Sequence, residues 1–128
     1  MLASVTKVGR GALAVFFVAG GLNHFRDPAF YLSMMPPVLP FPEGLNVLAG
    51  VFEILGGIGV LVPRTRRFAG WGLIALLIAV FPANIYAAIN GHIAGLDAQP
   101  WALWARLPFQ ALFIAWVWAV TLRQEKTE

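Results

Sequence analysis

A single carboxylate, Glu53, stands in the middle of the apolar, glycine-rich run 50–59, Gly-Val-Phe-Glu-Ile-Leu-Gly-Gly-Ile-Gly. An acidic side chain inside a membrane-length apolar segment is costly unless it is paired, protonated or turned to a wet cavity, so it marks a functional or assembly-critical site. Other polar side chains in apolar surroundings are Asn23 and His24, Asn84 close after Pro82, and Arg106 with Gln110 one turn further on. Glu53 and Arg106 could form an ion pair that only holds helices together. Alternatively, Glu53 could exchange a proton with a ligand oxygen, with Arg106 tuning it and His24 and Asn84 bonding the far side. A contact with a partner's membrane segment is the third reading. His24 alone reads as a helix-end residue or as a base, and no second ligand at useful spacing supports a metal site. Arg106 can pair or snorkel to the headgroups, and Asn84 can repair the hydrogen-bond ladder that Pro82 breaks. Nothing matches a nucleophile elbow, a phosphate loop, a zinc signature or a haem-ligating histidine pair, so no metal is expected and an enzyme acting alone has little support.

The elements that position these residues are apolar. The chain has 128 residues, 59% of them hydrophobic and 12% charged, which makes it one domain of a polytopic membrane protein. Its net charge of +3 resides at the ends of apolar segments rather than along one face, so it reads as a topology signal and not as a nucleic-acid footprint. Without cysteine there is no disulfide, thiol relay or thiolate metal site.

Four membrane helices are expected, at about residues 8–25, 43–62, 68–89 and 101–122. Lys7 and Arg10 ahead of an apolar stretch could open a signal peptide, but the stretch is taken as the first span. Pro28 stops that helix. Residues 26–42 carry Pro28, Pro36, Pro37, Pro40 and Pro42 with Phe30, Tyr31, Met34, Met35 and Phe41, too apolar for a solvated loop, and a re-entrant or interfacial segment is expected there. Gly50, Glu53 and Gly57 share one face of the second span, which turns Glu53 inward. Ala75, Ala79, Ala83 and Ala87 form a four-residue repeat in the third, read as a seam for close packing or for a homo-oligomer. Residues 90–100 read as a polar outer loop.

With both termini cytoplasmic, Lys7, Arg10, Arg64, Arg66, Arg67, Arg123 and Lys126 lie inside and only Arg26 and Arg106 outside. In that orientation Trp71, Trp116 and Trp118 fall at the inner interface, and Trp101, Trp104 and Tyr31 at the outer one. His24 and Asn23 then lie at the outer end of their helix, Asn84 and Arg106 about 8 Å in, and Glu53 about 15 Å in, with Gln110 between. The expected site is a polar pocket in the outer half of the bundle formed by Asn23, His24, Glu53, Asn84, Arg106 and Gln110, with Tyr31, Met34 and Met35 covering its mouth.

These residues resemble the DoxX family of small four-helix membrane proteins. The resemblance is carried by Asn23-His24-Phe25 with Pro28, Tyr31, Met34-Met35-Pro36 and Leu39-Pro40, by the run 50–59 with Leu61-Val62-Pro63 and Arg66-Arg67, by Phe81-Pro82-Ala83-Asn84, and by Arg106-Leu107-Pro108-Phe109-Gln110 with Trp116. It implies an all-α four-helix bundle similar in shape to vitamin K epoxide reductase, whose cysteine chemistry this chain lacks. It also implies a bacterial inner-membrane accessory protein. Some members of that family resemble membrane subunits that pass electrons to quinone in redox complexes, and distant animal relatives act as assembly chaperones. The expectation is a lipid-like ligand, plausibly a quinone, in the polar pocket, with Glu53 handling its proton. The alternative is a non-enzymatic assembly protein in which the buried charges only fix the bundle and the segment 28–42 contacts a client. A transporter or channel is disfavoured by the apolar cytoplasmic half.

Overall fold

The computed structural model describes residues 2–33, 35–90 and 100–123, and the side chains of residues 2, 84, 87, 88, 90, 100–103 and 106 also lie outside the description. Within it the regular elements are α1 (Leu2–Arg26), α2 (Pro28–Leu32), α3 (Pro42–Leu61), α4 (Arg66–Asn90) and α5 (Pro100–Thr121). Three of these contain spans long and apolar enough to cross a membrane, Ala3–Arg26, Pro42–Leu61 and Arg66–Ala83, and the part of α5 from Leu107 to Thr121 is a shorter apolar helix.

Proline punctuates the chain as its covalent geometry dictates. Asp27 leaves the helical region (φ −137°, ψ 69°), which the following Pro28 disfavours, and its amide still reaches back to the Asn23 carbonyl at 2.9 Å. Pro28 then opens the one-turn helix α2. Phe41, between Pro40 and Pro42, lies in the left-handed region (φ 50°), not the extended one that a following proline favours, and its carbonyl accepts the Leu45 amide at 3.0 Å, which starts α3. At the other end of α3, Val62 is extended before Pro63 and ends the helix.

α1 packs on α3, α3 on α4, α4 on α5, and α5 back on α1. The α1–α3 contact is the tightest. A β-carbon on Gly21 would lie 2.6 Å from the Gly50 carbonyl oxygen, and one on Gly50 would lie 3.0 Å from the Gly21 oxygen, so only glycine permits this approach. The apolar core gathers at the far end from that crossing: Leu13 and Phe17 of α1, Val60 of α3, Ala69, Leu73 and Ile74 of α4, and Val117, Val120 and Leu122 around the end of α5.

The same end is closed by arginines on helix C-terminal carbonyls, where an orphan acceptor and the negative end of the helix dipole favour a cation. Arg10 Nε donates to Val120 O at 2.9 Å, Arg67 to Leu122 O at 3.0 Å and Arg66 Nε to Val60 O at 2.9 Å. The indole of Trp116 adds a bond to Gly9 O at 3.1 Å. These contacts explain why α1 begins at Leu2 rather than near residue 8: Thr6 is buried and Arg10 is tied to α5, so helical structure extends past the apolar stretch.

As a seam for packing within the chain, the alanine repeat of α4 is corrected by the structure, whereas its reading as a homo-oligomer seam stands. Ala75 and Ala79 are exposed, and the packed face of α4 is formed instead by Ala69, Leu73 and Ile74 with Leu77 beside them. A leucine or isoleucine buries far more apolar area than an alanine, so the larger residues win the interior face. Ala83 is half-buried, and the side chain of Ala87 lies outside the description.

Candidate functional site

At the end of the molecule where α1 finishes and α3 begins, the two helices bring three polar side chains together. His24 is one turn from the end of α1, and Asn46 and Glu53 lie on the α3 face that also carries Gly50 and Gly57. Because Gly21 and Gly50 let the backbones meet, these short side chains span the gap. His24 Nε2 lies 2.5 Å from Glu53 Oε2, and Nδ1 lies 2.7 Å from Asn46 Oδ1. Asn46 Nδ2 donates to the His24 carbonyl at 2.9 Å. His24 and Asn46 are buried, and Glu53 is half-buried.

The protonation pattern follows from one fixed point. A backbone carbonyl only accepts, so the Asn46 side chain must turn its NH2 to His24 O and its oxygen to the imidazole. Nδ1 of His24 is therefore protonated and donates to Asn46. At Nε2 a bare nitrogen facing a bare carboxylate would be two acceptors in contact, so one proton lies between Nε2 and Glu53 Oε2. Imidazolium with carboxylate, or imidazole with carboxylic acid, gives the same net charge of zero. Such a pair resides in apolar surroundings at far lower cost than an isolated carboxylate.

The outer face of the cluster is covered by α2. The Tyr31 ring stacks on the His24 ring with centroids 3.7 Å apart and planes 17° from parallel. Asn23 Nδ2 donates to the Tyr31 oxygen at 2.8 Å, and Asn23 Oδ1 accepts from Arg26 Nε at 2.9 Å. On the inner side Glu53 Oε1 lies against Gly20, where a β-carbon would approach to 3.1 Å. Among the described residues no group donates to that second carboxylate oxygen.

Of the residues singled out in the sequence, Asn23, His24, Tyr31 and Glu53 meet here. Gln110 is buried on α5 and donates to the Leu77 carbonyl of α4. It lines an apolar groove of about 230 Å³ with Leu77, Ile78, Phe81, Leu107 and Ile114. Leu77 O is not the carbonyl that Pro82 orphans, which is Ile78 O one residue on, and a side-chain amide bonded to Leu77 O across the α4–α5 contact is a structural role. Met35 is half-buried after α2, with its amide on Leu32 O at 3.2 Å. Met34, the side chains of Asn84 and Arg106, and residues 91–99 of the expected outer loop lie outside the described residues. The partner Glu53 has among the described residues is His24, whereas the sequence suggested Arg106. Asn46 was missed. Its signal was its position, four residues before Gly50 and seven before Glu53, on the face already identified. No group of three or more His, Cys, Asp or Glu among the described residues could hold a metal.

These features define a class: an all-helical chain, consistent with an integral membrane protein, in which two helices share a net-neutral histidine–carboxylate pair. The chain belongs to the family described as Domain of unknown function (DUF8561), whose model matches residues 13–121 and so contains the whole cluster. No curated protein and no solved structure matches it.

Proposed function

We propose that the protein is a polytopic, DoxX-like four-helix membrane accessory protein that binds a lipid-like small molecule, a quinone being the best fit, at the outer end of α1 and α3. The observation that carries this reading is the His24–Glu53 contact at 2.5 Å with Asn46 fixing the imidazole from behind. Asn46 satisfies the buried Nδ1–H and at the same time fixes the ring, and a group that exchanges a proton gains from a fixed orientation.

In this reading the protein resides in a bacterial inner membrane with both termini cytoplasmic, an orientation that the excess of arginine and lysine at the Arg10, Arg66 and Arg67 end supports. This chain supplies binding and a proton, not electrons. Reduction of a quinone to a quinol takes two electrons and two protons, the electrons coming from a partner oxidoreductase with its own redox group. One proton is the one shared by His24 and Glu53, which leaves neutral histidine beside carboxylate. The other comes from water at the adjacent surface, which also restores the pair.

The test is native mass spectrometry of gently solubilised wild type beside Glu53→Gln, with thermal unfolding showing equal stability. A defined small molecule retained by the wild type and lost from the variant is expected. Release of bulk lipid alone by both would refute the reading.

A second reading rests on the connection between α2 and α3, where Val38 is 84% and Phe41 83% exposed. In it the protein is an assembly factor whose segment 33–41 contacts a client membrane protein, and the His24–Glu53 pair only fixes the bundle. Val38→Ser with Phe41→Ser would then release a co-purifying polypeptide that Glu53→Gln retains.

A further inference from the structure

Both ring nitrogens of His24 are engaged, Nδ1 by Asn46 and Nε2 by Glu53, so the imidazole offers another molecule only its faces. Tyr31 covers one of them at a centroid distance of 3.7 Å, close to parallel. Its oxygen lies 2.8 Å from Asn23 Nδ2. The Asn23 amide is oriented by the same kind of constraint as Asn46. The Arg26 guanidinium only donates, it holds Asn23 Oδ1 at 2.9 Å, and the NH2 is thereby turned to Tyr31. The place occupied by the tyrosine oxygen is thus a place for an acceptor. The place occupied by its ring is a place for a flat conjugated ring.

The segment that fills this place is short and lies outside the core. α2 is five residues long and contains no buried residue. Asp27-Pro28 precedes it, Pro36, Pro37 and Pro40 follow, and its own serine, Ser33, bonds locally to Phe30 O at 2.7 Å. α2 can leave His24 without disturbing any residue of the apolar core, which lies at the opposite end of the helices.

The geometry points to Tyr31 as the resident occupant of the ligand's own place. A flat ring with an acceptor oxygen, a phenol, quinol or quinone, displaces the tyrosine, stacks on His24 and takes the Asn23 amide hydrogen. This rests on the reading of the His24–Glu53 cluster as a ligand site and goes beyond it in two respects. It names the ring and its acceptor oxygen as the recognised features, and it makes α2 a built-in competitor that keeps the pair covered until a ligand of the right shape arrives.

A competitor lowers apparent affinity by the fraction of time it leaves the site open. The probe is a benzoquinone with a short alkyl tail, titrated by calorimetry into the full-length protein in lipid nanodiscs. Tyr31→Ala removes ring and oxygen and binds on the order of tenfold tighter than wild type, with Tyr31→Phe between the two. Asn23→Ala weakens binding in both the wild-type and the Tyr31→Ala background. Affinity unchanged or reduced in Tyr31→Ala, with wild-type binding intact, overturns the inference and leaves the site reading standing. Absence of binding by wild type and Tyr31→Ala alike overturns both. A readout independent of these variants uses the wild-type chain labelled with 3-fluorotyrosine. It has two tyrosines, and Tyr86→Phe assigns the signals. The Tyr31 fluorine resonance shifts as the quinone binds, and a resonance unmoved at saturation overturns the displacement.

Discussion

Gly21→Ala tests whether the close approach of α1 and α3 builds the site. The added β-carbon would lie 2.6 Å from both the Gly50 oxygen and Ile54 Cγ1, and 3.0 Å from the Ile54 amide nitrogen. The isoleucine side chain can rotate away, but a backbone carbonyl inside a helix cannot. Ordinary contact begins at 3.4 Å, so the helices must separate by about 0.8 Å at this crossing. Overpacking of this kind costs about 1–3 kcal/mol, and the better helix propensity of alanine returns no more than about 1 kcal/mol. His24 is three residues further along α1, so the same shift lengthens its 2.5 Å contact with Glu53 beyond a strong hydrogen bond. Gly11 and Gly72 are the controls, because a β-carbon at either meets nothing within 4 Å. Gly11→Ala is therefore neutral or stabilising by up to about 1 kcal/mol. Unfolding in mixed micelles with increasing denaturing detergent, followed by circular dichroism, gives the stabilities, and ligand retention reports the site. Equal stability of Gly21→Ala and Gly11→Ala, with the site intact in both, would refute the argument.

Other outcomes follow from the same geometry. Asn46→Ala leaves His24 O and Nδ1 without their partner and destabilises the protein by about 1–3 kcal/mol in the same assay, a cost that an exposed substitution such as Arg64→Ala does not share. Gln110→Leu removes the amide that serves the Leu77 carbonyl and loosens the α4–α5 contact by about 1 kcal/mol, without altering ligand retention by the His24 cluster. Because the chain has no cysteine, Arg64→Cys introduces a unique thiol at the exposed turn between α3 and α4. A membrane-impermeant thiol reagent labels it in inside-out vesicles and not in intact cells if that turn is cytoplasmic.

Much of the helical plan was legible because apolar runs and prolines act locally. Pro28, Pro42 and Pro63 mark the helix boundaries to within a residue or two. The inward direction of Glu53 followed from Gly50 and Gly57, since small residues on one face announce a close neighbour. Which neighbour was not legible. Glu53 could have faced a cation on any helix, and the choice of His24 depends on the α1–α3 crossing, a tertiary fact. Asn46 looked like an ordinary polar residue near a helix start. Its value comes from a histidine twenty-two positions away. The alanine repeat of α4 misled for a related reason: spacing identifies a face, but only the competing face, with Leu73 and Ile74, decides which one is buried.

The clasp between the first and last helices, made by Arg10 with Val120 and Trp116 with Gly9, has a counterpart in the order of synthesis. The His24–Glu53 pair needs nothing beyond α3, so it is complete when residue 61 has emerged from the ribosome. Each of its two charges can neutralise the other before either is left alone in lipid. α5 arrives last and seals the opposite end, so insertion of the nascent chain begins with the polar pair and finishes with the apolar core.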